Sequence, residues 1–128
     1  MIEQAVAERL LAFAGVSALV GTRVWPGVKP VGTPHPAIVY NRISGGPIYD
    51  DDGEAGVEQV RIQIDCWGDT YTDAKLLAVQ VREALSGWFS ADSLYATLET
   101  ERDLTEAGNN AADYPRRTTM DFMILGRS

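Results

Sequence analysis

Two side chains of this chain have the chemistry of a catalyst, and each stands alone. His35 is the sole histidine and the one group that ordinarily titrates near neutral pH, and it sits in Pro34-His35-Pro36 with no nucleophile motif beside it. It is expected to be a polar residue of a stiff loop before a strand. Cys66, the sole cysteine, follows Ile64 on an apolar parity. A buried thiol lacks the electropositive setting that makes a thiolate reactive, so Cys66 is expected in the core. One cysteine excludes an internal disulfide, and one Cys with one His falls short of a zinc set. Asp50-Asp51-Asp52-Gly53-Glu54 has the composition of a calcium loop but not its spacing, which needs alternating oxygen ligands, a glycine at the sixth place and a glutamate at the twelfth, between helices. Gly45-Gly46 fits neither phosphate-cradling glycine pattern. No catalytic, cofactor or metal site is expected, and the chain is not expected to be an enzyme.

What remains is chemistry of contact. Tyr49, Asp50, Asp51, Asp52 and Glu54 form an acidic stretch with no base among them, a candidate partner-contact loop. Arg61, Gln63 and Asp65, with Arg116 and Arg117 near the end, form a candidate subunit interface, the alternative being ordinary solvated sheet surface. Trp25, Trp67 and Trp88 are expected as core or edge cover, or as interface anchors where exposed.

The elements that must position these groups follow from periodicity. Ile2, Val6, Leu10 and Phe13 recur at helical spacing, and Gly15 is placed to end that helix. Thr22 to Trp25 predicts a brief strand, and the four prolines between Pro26 and Pro36 predict an ordered extended connector or arm. Ala37 to Ser44 predicts a strand, followed by a long hairpin loop over residues 45–56. Val60, Ile62, Ile64 and Cys66 share one parity and Arg61, Gln63 and Asp65 the other, which predicts a strand with one dry and one wet face. Gly68-Asp69 breaks it, and Thr70-Tyr71-Thr72-Asp73 caps a helix running to about Ser86. Leu94 to Asp103 and Arg116 to Leu125 predict two more strands, joined by a second long loop over 104–115. The sum is an α+β two-layer sandwich, a mostly antiparallel sheet of four to five strands with two main helices on one face, in a single domain over residues 1–128.

Composition bounds the partners. At 128 residues, 45% hydrophobic and 23% charged, the chain has the make-up of a soluble globular protein. No apolar run approaches the roughly 20 residues of a membrane span, and Met1-Ile2-Glu3-Gln4 does not open a secretory signal, so use inside a cell and off the membrane is expected. A net charge of -7 argues against a broad grip on nucleic acid.

The string from Val60 to Trp67, followed by Thr70 to Lys75 and Val81-Arg82-Glu83-Ala84-Leu85, resembles the tail-completion family of long-tailed bacteriophages, prophages and gene-transfer agents. Thr22 to Gly27, Pro36 to Tyr40, Glu101 to Leu104 and Asp121-Phe122 agree with it in order, while the polar stretch Gly108 to Asp113 departs from it. The resemblance implies a structural protein that caps the tail tube as a ring, usually six-fold, and joins it to the head. Its implied partners are further copies of itself, the tail tube protein and a head-tail connector or stopper, with DNA passing through the channel unbound. Its implied place is the neck of the virion, after assembly in the host cytoplasm. A head-side connector, and a non-viral binding module that uses the acidic loop, are the alternatives.

Overall fold

The apolar spacing of Ile2, Val6 and Leu10 forms helix α1 (Ile2–Ala12), with all three side chains buried. The structure, a computed structural model, describes residues 2–51, 53–90, 94–105 and 116–127. After α1 come α2 (Ala14–Val20), β1 (Val24–Pro26), β2 (Ala37–Asp50), β3 (Gly53–Gly68), α3 (Tyr71–Leu85), β4 (Tyr95–Thr105) and β5 (Arg116–Arg127). The sheet order is β1-β2-β3-β5-β4, antiparallel throughout except where β1 runs parallel to β2. The fold is α+β as expected, with the helices layered on one face.

The alternation in β3 fixes which face that is. Val60, Ile62, Ile64 and Cys66 are fully buried and stand beside Met120, Phe122 and Ile124 of β5. Leu77, Val81 and Leu85 of α3 close over them, and α1 and α2 complete the layer through Val6, Leu10, Val16 and Val20. The start of α3 is held by the Thr70 hydroxyl, which accepts the Asp73 amide proton at 3.1 Å. This is the cap the sequence predicts.

Three expectations need correction. Gly15 does not end the first helix. Phe13 breaks it in an extended conformation, and Gly15 lies within α2, where an added Cβ would run into the Gln80 side chain. The terminating glycine is Gly21, at φ 60°, whose amide donates to Ser17 O. Residues 45–56 are not a long loop: β2 continues to Asp50 and β3 resumes at Gly53. Register shifts at Arg42/Ser44 and Pro47/Tyr49 absorb the irregular residues, and Pro47 lies on an edge stretch of β2 beyond Tyr40, the last residue that β1 pairs, where proline is tolerated best. Of the loop expected over 104–115, Leu104 and Thr105 belong to β4, while 106–115, with Gly108 to Asp113, lie outside the described residues.

Glycine is required where strand meets helix. A Cβ on Gly68 would stand 2.5 Å from the Ala74 amide nitrogen, a backbone atom that cannot turn aside, whereas one on Gly46 meets nothing within 4 Å. Gly68→Ala is therefore expected to lower stability by about 1–3 kcal/mol, and Gly46→Ala by less than about 0.5 kcal/mol, as read from urea unfolding.

Candidate functional site

The second face of the sheet carries the polar parity. One row across it reads Trp25, Val39, Asp65, Thr119 and Arg102; the next reads Asn41, Gln63, Asp121 and Thr100. Asp65 is 4% exposed. Its carboxylate accepts from the Thr119 hydroxyl at 2.9 Å, from Gln63 Nε2 at 3.1 Å and from Arg117 at 3.5 Å. Arg61 pairs with Asp121 at 3.2 Å. Four of the five predicted interface residues are thus brought into one strip, with Arg61, Gln63 and Arg117 half-buried and Asp65 sealed beneath them. Arg116 pairs opposite Gly68 at the end of the strip, also half-buried.

At that end the proline-rich segment folds over the sheet, and Trp67 organises it. His35 stacks on the indole with ring centroids 6.0 Å apart, Lys29 Nζ lies 4.7 Å from its centroid, and the Arg117 guanidinium 5.0 Å. His35 Nδ1 donates to Asp69 at 2.9 Å. The histidine is therefore part of a structural clasp tying the segment to the β3–α3 junction. Ala37 and Val39, which share this face with Trp67, are buried. Sequence reasoning missed this cluster because it joins positions 29, 35, 67, 69 and 117; the local signal was the lone tryptophan on a polar parity.

The predicted contact loop is the tip of the β2–β3 hairpin. Tyr49 and Asp51 are exposed, Asp50 and Glu54 pair across the hairpin with Gly53 and Tyr49, and Asp52 lies outside the described residues. The arm continues past Val57, the last β3 residue that β5 pairs, so its end has no strand neighbour on either side among the described residues. Near its root an open groove of about 320 Å³ lies between Ser44, Pro47, Ile48, Arg61 and Met123. Below it Arg42 bridges Glu3 of α1 and Glu58 of β3 at 2.7 and 2.8 Å. Those two hydrogen bonds raise the guanidinium pKa.

Two further groups have resolved electrostatics. Cys66 is fully buried, and desolvation, with Asp65 and Glu101 adding to it, pushes its thiol well above the usual range. That leaves it an inert core residue, as expected. Lys75 of α3 binds Asp103 at 3.1 Å and Glu101 at 3.4 Å on β4, Arg82 binds Glu101 at 3.1 Å, and Tyr71 and Thr118 donate to Asp103. The Lys75 hydrogen bond is the main cause holding the Asp103 carboxyl below its ordinary range.

These two carboxylates should respond differently to removal. Asp65→Ala strands buried donors and is expected to cost about 2 kcal/mol in urea unfolding. The Asp103 side chain is 42% exposed, so solvent screens its pair to about 0.5 kcal/mol or less. Because its folded pKa is depressed, that contribution is present above the unfolded carboxylate pKa and is lost as pH falls through the folded value. Asp103→Asn should therefore leave stability near pH 7 almost unchanged and flatten its decline below about pH 4.

No functionally curated protein matches the sequence. A chain in the virion of the native gene transfer agent particle shares the fold, with a TM-score of 0.71, 24% identity, and coverage of 96% of this chain and 92% of that one. The family model described as tail completion protein gp17 matches residues 4–125, and the chain belongs to that family.

Proposed function

We propose that this chain is a structural subunit that caps the phage tail tube as a closed ring, six-fold as the family resemblance implies, and joins the tube to the head connector or stopper. Residues 1–128 act as one unit, without catalysis or cofactor. Membership in the tail-completion family supports a role in the tail, and the fold shared with a chain of a gene transfer agent virion agrees with a place inside a particle. The subunit works at the neck of the virion, having been assembled in the host cytoplasm.

The observation that carries this proposal is the hairpin arm. A two-stranded tip that stands clear of the sheet, with Tyr49 exposed and acids at 50, 51, 52 and 54, gains nothing for the isolated fold. It suits contact with a second protein, here the tube below or the connector above. Arg61, Gln63, Arg116 and Arg117 offer side-chain surface to a neighbouring copy, while Asp65 sets the posture of Arg117 and Gln63 from beneath. A ring needs two different patches that meet head to tail with a closing rotation, and a sheet with one face free of helices leaves room for that contact. The chain's acid excess keeps passing DNA from adhering.

The test is electron microscopy of purified tail tubes with added protein, alongside mass measurement in solution. The wild-type chain is expected as a ring on one tube end. Replacing Asp50, Asp51, Asp52 and Glu54 together by Lys is expected to lower tube capping at least tenfold. A chain that stays monomeric and never binds tube ends would overturn the proposal, and one that binds isolated head connectors instead would favour the head-side alternative.

A further inference from the structure

The hairpin arm leaves the sheet through a bend of irregular backbone. β1 pairs β2 only as far as Tyr40, and β5 pairs β3 only from Val57 onward, so among the described residues the arm has no strand neighbour but itself. At its root the register of β2 on β3 shifts between Arg42 and Ser44, which leaves Ile43 as the extra residue of a bulge. Gly45 follows at φ 142°, and a Cβ there would stand 2.6 Å from Gln59 O and 2.7 Å from Val60 Cα. Only glycine lets the two strands approach so closely at this point. A bulge and a glycine-bearing crossing, one after the other, concentrate bending at the root.

One side chain straps that bend. Arg42 pairs opposite Ile62 and Glu58 opposite Pro47, so the 2.8 Å bond between them spans the shifted register and the Gly45-Gly46 pair. The same nitrogen, Nη2, donates to Glu3 Oε1 at 2.7 Å. Glu3 lies in the first turn of α1, which Ile2 and Val6, both buried, hold on the core. Arg42 and Glu58 share the parity of buried Val60 and Ile62, on the helix-covered face, whereas the groove by Arg61 and Met123 opens on the other. An open groove of about 400 Å³ lies between Glu3, Gln4, Tyr40 and Arg42, so the Arg42–Glu3 bond ties two elements that do not pack closely there. The strap therefore lies behind the arm and anchors it to the helical layer.

The Arg42 side chain is 36% exposed and its partners 23% and 21%, so water screens both pairs and they add little to global stability. Their effect falls on a smaller equilibrium, the angle of an arm that no neighbouring strand holds. One cation shared by carboxylates on two elements fixes that angle, where a single pair would leave a pivot. A partner then meets an arm whose ordering cost is already met in the free chain.

We propose that Arg42 is the positioning residue of the arm: through Glu3 and Glu58 it sets the angle at which the tip meets its protein partner, without touching that partner itself. The inference rests on the reading of the arm as the contact element, and adds that contact is made in one preset posture. Glu3, on α1, thereby governs capping from outside the contact surface.

Posture is measured in the free chain and function on tail tubes, which keeps the two claims apart. Spin labels at Tyr49→Cys on the tip and Leu76→Cys on α3, both exposed positions, report the distance from arm to helical layer, with the buried Cys66 silent. The chain with Arg42 intact is expected to give one narrow distance distribution. Arg42→Met keeps the aliphatic stem and loses both pairs, and is expected to broaden that distribution while its urea midpoint stays that of wild type. Without labels, Arg42→Met is expected to need about fivefold more protein to cap half the tube ends, because fewer arms hold the competent posture. Glu3→Gln should weaken capping as well, and add nothing in the Arg42→Met background. An unchanged distribution in Arg42→Met would overturn the strap, and a broadened one with undiminished capping would overturn the positioning role. Additive losses from Glu3→Gln and Arg42→Met would overturn it too, by making them independent contacts. A wild-type chain that never caps tubes would overturn the proposed function, while a distribution broadened by Arg42→Met would still uphold the strap.

Discussion

Everything in this molecule hangs on a central strand that must be dry on one side and wet on the other. β3 is paired on both flanks, with β2 and with β5, so its backbone is satisfied without help from the helices. Its even-numbered residues from Val60 to Cys66 are then free to build the core, which forces α1, α2 and α3 onto one face. The opposite face inherits Arg61, Gln63 and Asp65, and with them the problem of polar groups on a surface that the proline-rich segment partly roofs.

That problem is solved in two ways along the same face. Near the Trp67 end, Asp65 is buried but takes donors from Thr119, Gln63 and Arg117, so the charge is not left without partners. Trp67 fills the remaining space as a platform for one imidazole and two cations. Away from the segment the face stays open, leading through the groove by Met123 to the exposed Leu125. A surface both ordered and open is what an assembly subunit needs, because the neighbour meets side chains already held in place.

The half of this architecture that rests on short-range chemistry was legible in the chain itself. The parity of Val60 to Cys66, the Thr70 cap and the buried thiol need only neighbouring residues to be read. What escaped depends on distant partners. Phe13 could not be seen to break the first helix, since its ring meets Arg9 beside Trp88. Gly45-Gly46-Pro47 has the composition of a loop, yet an outer edge with no strand partner among the described residues and two register shifts let it continue a strand. Asp65 looked like solvated surface because its cover comes from distant β5, where Thr119 and Arg117 donate to it. The acidic run was legible as a contact candidate but not as the tip of a projecting arm.

The family supplies the setting of a phage tail, and the structure supplies surfaces on which a proposed ring can close. The claim that matters most is that the arm and the polar face, not the helical layer, meet other proteins. Amide hydrogen exchange on the free chain and on the chain bound to tail tubes tests it directly. New protection is predicted over residues 27–36 and 41–56, with the exchange of α3 (Tyr71–Leu85) unchanged. Protection gained only in the helices, with the arm exchanging as freely as before, would contradict it.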